Sequence, residues 1–181
     1  MSKQLPLMVM VAPNGARRNN RDHPHLPLTI EQTVNAALAC QQVGACILHA
    51  HIRDKQGKHS LDVGIYQELL AEMAHQVPDM LVQITTEAVG QYSTQQQIDL
   101  VTKLRPKMAS VALRELVPTF ASETVAKHFF SWAEEAQVQL QIILYDAADV
   151  NHLNELQHAG VLPKKTACVL YVLGRYRENL Q

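Results

Sequence analysis

The sequence predicts an α/β protein built on a parallel sheet. Three observations carry this. Apolar runs of strand length alternate with segments of helical periodicity along the chain. The strand-like runs are nearly continuously apolar, as expected of strands covered on both faces. The polar residues gather where those runs end. Two architectures fit, an open doubly wound sheet and a (β/α) barrel, and in both the functional groups sit at the C-terminal ends of the strands.

The elements follow in order. "LPLMVMVAPNG" reads as strand one, closed by Pro13 and Gly15. "TIEQTVNAALACQQVG" reads as a helix: Thr29 and Gln32 have capping-box spacing, Ile30, Val34, Ala37 and Leu38 recur at helical period, and Gly44 is the stop. "ACILHAHIRD" is strand two. "SLDVGIYQELLAEMAHQ" is helix two, capped by Ser60, with Ile65, Leu69 and Met73 on one face. "DMLVQITTEA" is strand three, and "STQQQIDLVTKLRP" is helix three, with Ser93 and Gln96 as its capping pair. "MASVALREL" is strand four. "SETVAKHFFSWAEEAQ" is helix four, with Val125, Phe129, Trp132 and Ala136 in a stripe. "VQLQIILYD" is strand five, "DVNHLNELQHAG" is helix five ending at Gly160, and "ACVLYVLG" is strand six. No linker or low-complexity segment interrupts the series, so residues 1–181 read as one domain.

Composition narrows the function. With 181 residues and 47% hydrophobic content the chain can bury a substantial core. The net charge is -1, with 16 basic and 17 acidic residues well mixed, so no basic stripe points to nucleic acid. No apolar run approaches the ~18 residues that span a bilayer, and the N-terminus reads as a strand rather than a secretory signal. The three cysteines, Cys40, Cys46 and Cys168, have no CxxC spacing, and a reducing cytoplasm is the expected compartment.

The polar residues at the strand ends are Asn14, the pair His49 and His51, Thr85 and Thr86, Ser110 with Arg114 and Glu115, and Asp146. His49 and His51 are two apart on a strand, so they share a face, with Cα atoms roughly 6.6 Å apart. Two imidazoles so placed can converge on one divalent ion. Spacing alone leaves ordinary hydrogen bonding open for each of them. The other histidines read as solvated, with His23 and His25 a weaker loop pair. Hydroxyls at the mouth of one sheet suit a small anion such as a carboxylate. Arg53 and Asp54 read either as supports for the histidines or as an ion pair. Asn14-Gly15 is a turn signal first and a substrate contact second.

The stretch "APNGARRNNRDHPHLPLTIEQTVNAALACQQVGACILHAHIRDKQGKHSLD", followed by "VQITTEAVG", "LRPKMASVAL" and more loosely "YVLG", resembles the β-keto acid cleavage enzymes. The His-x-His-x-Arg strand after the Pro-Leu-Thr helix start is its most specific part. The resemblance implies a (β/α)8 TIM-type barrel, of which this chain covers about six β/α units. It implies a divalent metal, usually Zn2+, held by His49 and His51. It also implies acetyl-CoA as co-substrate: a β-keto acid condenses with acetyl-CoA, and the adduct splits to acetoacetate and a new CoA thioester. Asn14, Arg17, Thr85, Thr86 and Ser110 become substrate-binding candidates, with Arg53 and Asp54 behind the metal ligands. Thr85 falls where the family has a serine, and Ser110 where it has a threonine. A homo-oligomer, in this family often a tetramer, is implied as well.

The departures are specific. Arg17 stands where founding members carry glutamate, which favours an acidic substrate group over an amine. Thr86-Glu87-Ala88 replaces Thr-Gly-Gly, Arg114 and Glu115 replace small residues, strand five carries Gln141 and Ile143, and the Gly-rich loop becomes "GRYREN". A full barrel takes ~250 residues. The family's third metal ligand and its catalytic base are therefore expected beyond Gln181, with the C-terminal strands missing. The alternative is a catalytically incomplete barrel fragment or pseudo-enzyme that acts only in assembly with another chain.

Overall fold

A computed structural model describes residues 7–163 and 168–173. The chain divides into two compact units, Met1–Ile84 and Thr85–Gln181. Both are α/β with parallel strands, as the alternating pattern predicts.

In the first unit, β1 (Met10–Val11) runs parallel to β2 (Ile47–Ala50), with Met10 opposite Ile47. On its other side β2 pairs in parallel with β5 (Leu81–Thr85), whose last residue opens the second unit. Strand one is thus shorter than predicted: Leu7, Met8 and Val9 are exposed and precede the ladder. Helix α1 (Ile30–Gln42) has the predicted capping box, in which Thr29 accepts the Gln32 backbone N–H while the Gln32 side chain accepts the Thr29 N–H. Gly44 follows the helix at φ +102°, a conformation that favours glycine.

The largest difference falls in strand two. The predicted run breaks at His51, and β3 (Ile52–Arg53) turns into an antiparallel hairpin with β4 (His59–Ser60). The hairpin's turn has its own chemistry. Asp54 Oδ1 accepts the backbone N–H of Gln56 at 2.9 Å and of Lys58 at 2.8 Å, and Gly57 supplies φ +75°. Ser60 is therefore a strand residue and not the helix cap. Helix α2 (Val63–Gln76) is capped by Asp62, whose carboxylate accepts the Ile65 N–H. Its buried face is Tyr66, Leu69 and Met73, one step round from the predicted Ile65. The Tyr66 hydroxyl finds a buried acceptor in the Ala50 carbonyl at 3.2 Å.

In the second unit, β6 (Met108–Ala112), β7 (Gln139–Leu144) and β8 (Cys168–Tyr171) form a parallel ladder in that order. Helix α3 (Thr94–Leu104) carries the predicted Ser93–Gln96 capping box. Strand four stops earlier than predicted. Leu113–Leu116 form a short helix, α4, because Leu113 and Leu116 at i, i+3 spacing are both fully buried. Arg114 and Glu115 thus lie on a helical turn rather than on a strand. A short 3₁₀ turn (Phe120–Ser122) leads into α5 (Glu123–Glu135). This helix buries Ala126, Phe129, Phe130 and Ala133, so the predicted stripe shares only Phe129, and Val125 is exposed. Trp132 instead lies half-exposed, stacked on Phe129 with Arg105 over its ring at 5.8 Å. Helix α6 (Ala147–His158) starts at Asp146, which accepts the Asp149 N–H. Asp146 is therefore a helix cap and half of an ion pair with Arg114 at 2.7 Å. Of predicted strand six, Ala167 and Gly174 lie outside the described residues, as does the "GRYREN" loop. No helix among the described residues is long and apolar enough to cross a membrane.

Candidate active site

The histidine pair sits where β2 leaves the parallel ladder. His49 belongs to β2, opposite Gln83 of β5 in register. Gln83 is fully buried, and its Oε1 lies 2.6 Å from His49 Nδ1. A glutamine carbonyl can only accept, so this contact puts the His49 proton on Nδ1 and leaves the Nε2 lone pair for the site. Burial pushes the His49 pKa down, partly opposed by the Gln83 bond, and keeps the ring neutral.

His51 sits in the one-residue break between β2 and β3. Asn14 replaces the missing ladder there: its Nδ2 donates to the His51 carbonyl at 2.8 Å and its Oδ1 accepts the His51 N–H at 3.3 Å. The two rings meet at 72°, with Nε2 atoms 3.2 Å apart. Two metal–nitrogen bonds of about 2.0–2.1 Å at a tetrahedral angle separate their nitrogens by roughly 3.3 Å. The pair therefore fits the bite of a tetrahedral divalent ion. Among the described residues no group of three His, Cys, Asp or Glu side chains forms a complete set of ligands.

A third imidazole, His59, lies beside the pair, with its ring centroid 5.3 Å from that of His51. It is buried, and its pKa is lowered to about 4, by burial first and then by the charges of Arg53 and Arg17. Arg53 is buried too. Its guanidinium donates to the carbonyls of Gly15, Arg18 and Ile52 and so ties the 15–18 loop to the hairpin. Desolvation lowers its pKa from the usual arginine range. A cavity of about 320 Å³ opens beside His51 and Arg53, walled by the first turn of α1 and the first two turns of α2.

A family model for beta-keto acid cleavage enzymes matches residues 6–180. The chain belongs to the β-keto acid cleavage enzyme family. Among its relatives is a 3,5-dioxohexanoate:acetyl-CoA acetone transferase of Paraburkholderia graminis, 29% identical over 61% of this chain and 36% of that protein. A 3-oxoadipate:acetyl-CoA acetyltransferase of Cupriavidus necator is 27% identical over 59% of this chain and 37% of its own length. A 3-keto-5-aminohexanoate cleavage enzyme of Fusobacterium nucleatum is 24% identical over 87% of this chain and 60% of its own length. The chain thus spans from about a third to three fifths of the relatives it matches.

The other sequence-predicted residues of this β-keto acid cleavage family member fall as follows. In the first unit Asn14 and Arg53 gather around the histidines and Arg17 adds its charge, but Arg17 is exposed and Asn14 serves the His51 backbone. Asp54 closes the hairpin turn, its Oδ1 accepting the Gln56 and Lys58 N–H groups.

In the second unit Thr85, Thr86 and Ser110 are buried. Thr85 Oγ1 accepts the Glu87 N–H at 3.1 Å. The Thr86 hydroxyl faces the Ser110 carbonyl at 3.0 Å and Gln97 Oε1 at 3.2 Å. Ser110 Oγ has no hydrogen-bond partner among the described residues. Register places Ser110, Gln141 and Cys168 side by side on β6, β7 and β8, and the Gln141 amide donates to Cys168 Sγ at 3.5 Å. Glu115 is occupied: its Oε2 accepts the Ala88 N–H at 3.0 Å.

Sequence reasoning missed Gln83 and His59. Gln83 was detectable as the single amide inside the apolar run "LVQIT". His59 could have been found from the Asp54…Gly57 turn signal, which predicts a hairpin that brings it back opposite Arg53.

Proposed function

We propose that this chain carries the metal-binding part of an enzyme that transfers an acyl group between a β-keto acid and acetyl-CoA. The fold would be a (β/α)8 barrel, of which residues 1–181 form one continuous part. A divalent metal, Zn2+ by ligand type, would be held by His49 and His51 and would supply Lewis-acid stabilisation for an enolate-like oxygen. The observation that carries this reading is the 3.2 Å approach of the two Nε2 atoms, with His49 Nδ1 tied to Gln83.

The chain's own residues have distinct tasks. Gln83 holds the His49 tautomer with Nε2 unprotonated. Asn14 fixes the backbone that carries His51. Arg17 supplies positive charge at the histidine cluster and favours an anionic substrate group. Arg53 holds the loop bearing Arg17. Thr85, Thr86 and Ser110 remain the substrate-contacting hydroxyls that the family resemblance implies. What supports Ser110 among these is that its buried Oγ meets no partner among the described residues, and such a hydroxyl costs about 1–3 kcal/mol unless a ligand or water meets it. The same resemblance carries the expectation of a cytoplasmic homo-oligomer.

The test is metal analysis beside an acetyl-CoA-dependent assay on a panel of β-keto acids, for the wild type and for a His49→Ala/His51→Ala variant. Stoichiometric zinc that disappears in the folded double variant is the expected result. Unchanged metal content in that variant would end the reading. Preference for a cationic keto acid would remove the role given to Arg17.

A second reading, a barrel fragment that works only in assembly with another chain, is favoured by apolar side chains beside the end strands. Leu7 is 89% exposed ahead of β1, and Leu173 is 91% exposed after β8. The run Leu7, Met8 and Val9 is exposed throughout, and such an apolar patch favours association with another surface. Folded monomer at micromolar concentration, by sedimentation, would count against it.

A further inference from the structure

We infer that His59 is a positioning residue: its ring packs against the ring of His51 and holds that imidazole in the orientation that converges on His49. This rests on the metal-binding reading above. Three rings stand in sequence. His49 and His51 are 5.0 Å apart by centroid, and His51 and His59 are 5.3 Å apart with planes tilted by 60°.

His51 needs such support because of where it lies. It lies in the one-residue break between β2 and β3. Asn14 fixes its backbone, but two bonds to the peptide do not set χ1 and χ2. A ring gripped on one side by His49 and on the other by a buried partner is held from both sides. His59 is such a partner. It is 5% exposed, and its strand is anchored by antiparallel pairing of Arg53 with His59 and of Ile52 with Ser60. Arg53 stands on the same face as His59, as cross-strand partners do.

The shape of the hairpin gives the arrangement its purpose. Residues 54–58 fold back so that the chain emerging from His51 returns to its flank within eight residues. A ligand ring and its support thus sit on one short covalent loop.

The experiment compares zinc affinity, by competition with a chromogenic chelator, in the wild type, His59→Val and His59→Phe, with His49→Ala/His51→Ala as the metal-free control. Valine suits a strand and removes the ring, while phenylalanine keeps a ring of similar shape. His59→Val should bind zinc about tenfold to a hundredfold more weakly with unchanged far-UV circular dichroism, the usual range for residues behind a ligand. His59→Phe should stay within a few-fold of the wild type. Equal affinity in wild type and His59→Val overturns the inference, and so does a His59→Phe variant as weak as His59→Val. A wild type that holds no zinc overturns the metal reading itself, and with it this role. If the valine variant does not fold, histidine ring NMR of the metal-free wild type decides: a cross-relaxation contact between the His51 and His59 rings supports the inference, and its absence overturns it.

Discussion

Asn14 grips His51 by both of its main-chain groups, donating to its carbonyl and accepting from its N–H. One side chain thereby does the work of a neighbouring strand at the point where β2 has lost its own. The Asn14 side chain is almost fully buried, so water cannot readily replace it. Replacing it with alanine should cost about 2–3 kcal/mol, the penalty of leaving buried main-chain groups unpaired. A urea midpoint lowered at constant m-value, together with weaker zinc binding, is the expected outcome. A midpoint equal to the wild type would show that His51 is held by something else.

Gln83 is the next point of control. Gln83→Leu removes the acceptor for His49 Nδ1–H and frees the ring to choose its tautomer. Zinc affinity should fall about tenfold to a hundredfold. Gln83→Glu keeps an acceptor and makes His49 more basic, so affinity should recover or rise. Chelator competition reads both, and a leucine variant with full affinity would refute the coupling.

Acid stability should be sensitive to the Arg114 cluster. The Asp146 carboxyl is held below the ordinary range by the Asp149 backbone N–H first and by the Arg114 guanidinium next. Burial would lower the Arg114 pKa, but hydrogen bonds to Asp149 and Asp146 outweigh it and raise it instead. A depressed carboxylate stabilises the fold above its unfolded pKa, roughly pH 4, and that contribution is lost as pH falls through the lower folded value. Asp146→Asn keeps a capping side chain and removes the charge. Its urea midpoint should therefore fall less steeply than the wild type's below pH 4. Parallel acid limbs for the two proteins would contradict this.

Val89 adopts φ +47°, which is costly for a β-branched residue. It lies half-buried just beyond the stretch where this chain has Thr86-Glu87-Ala88. Val89→Asn should raise stability by about 0.5–1 kcal/mol, because asparagine tolerates the left-handed region. A lower thermal midpoint would mean that the valine methyls contribute more than the strain costs.

The long-period features were legible in the sequence, and the short ones were not. Alternation of apolar runs and helical stripes predicted the parallel strands, and capping boxes at Thr29 and Ser93 placed two helix starts to the residue. The break at His51 was hidden because "CILHAHIR" is apolar enough to pass for one continuous strand. Whether a chain stays in a ladder there depends on Asn14, which is 37 residues away in sequence. Leu113–Leu116 failed for a related reason: four residues carry too little periodicity to separate a helical turn from a strand. The histidine pair was visible from spacing. Its partners Gln83 and His59 come from a cross-strand register and a hairpin, and spacing along one strand cannot reveal either.

The interruption after Ala50 has an engineering consequence. One imidazole is moored in the parallel ladder and the other at the root of a separate hairpin, so the gap between their nitrogens answers to two independent moorings. For the metal site proposed above, ion preference would then be tunable without touching either ring. Shortening the turn from Asp54 to Lys58 is the change that would test this on the proposed metal site, read as the ratio of zinc affinity to the affinity for a larger divalent cation.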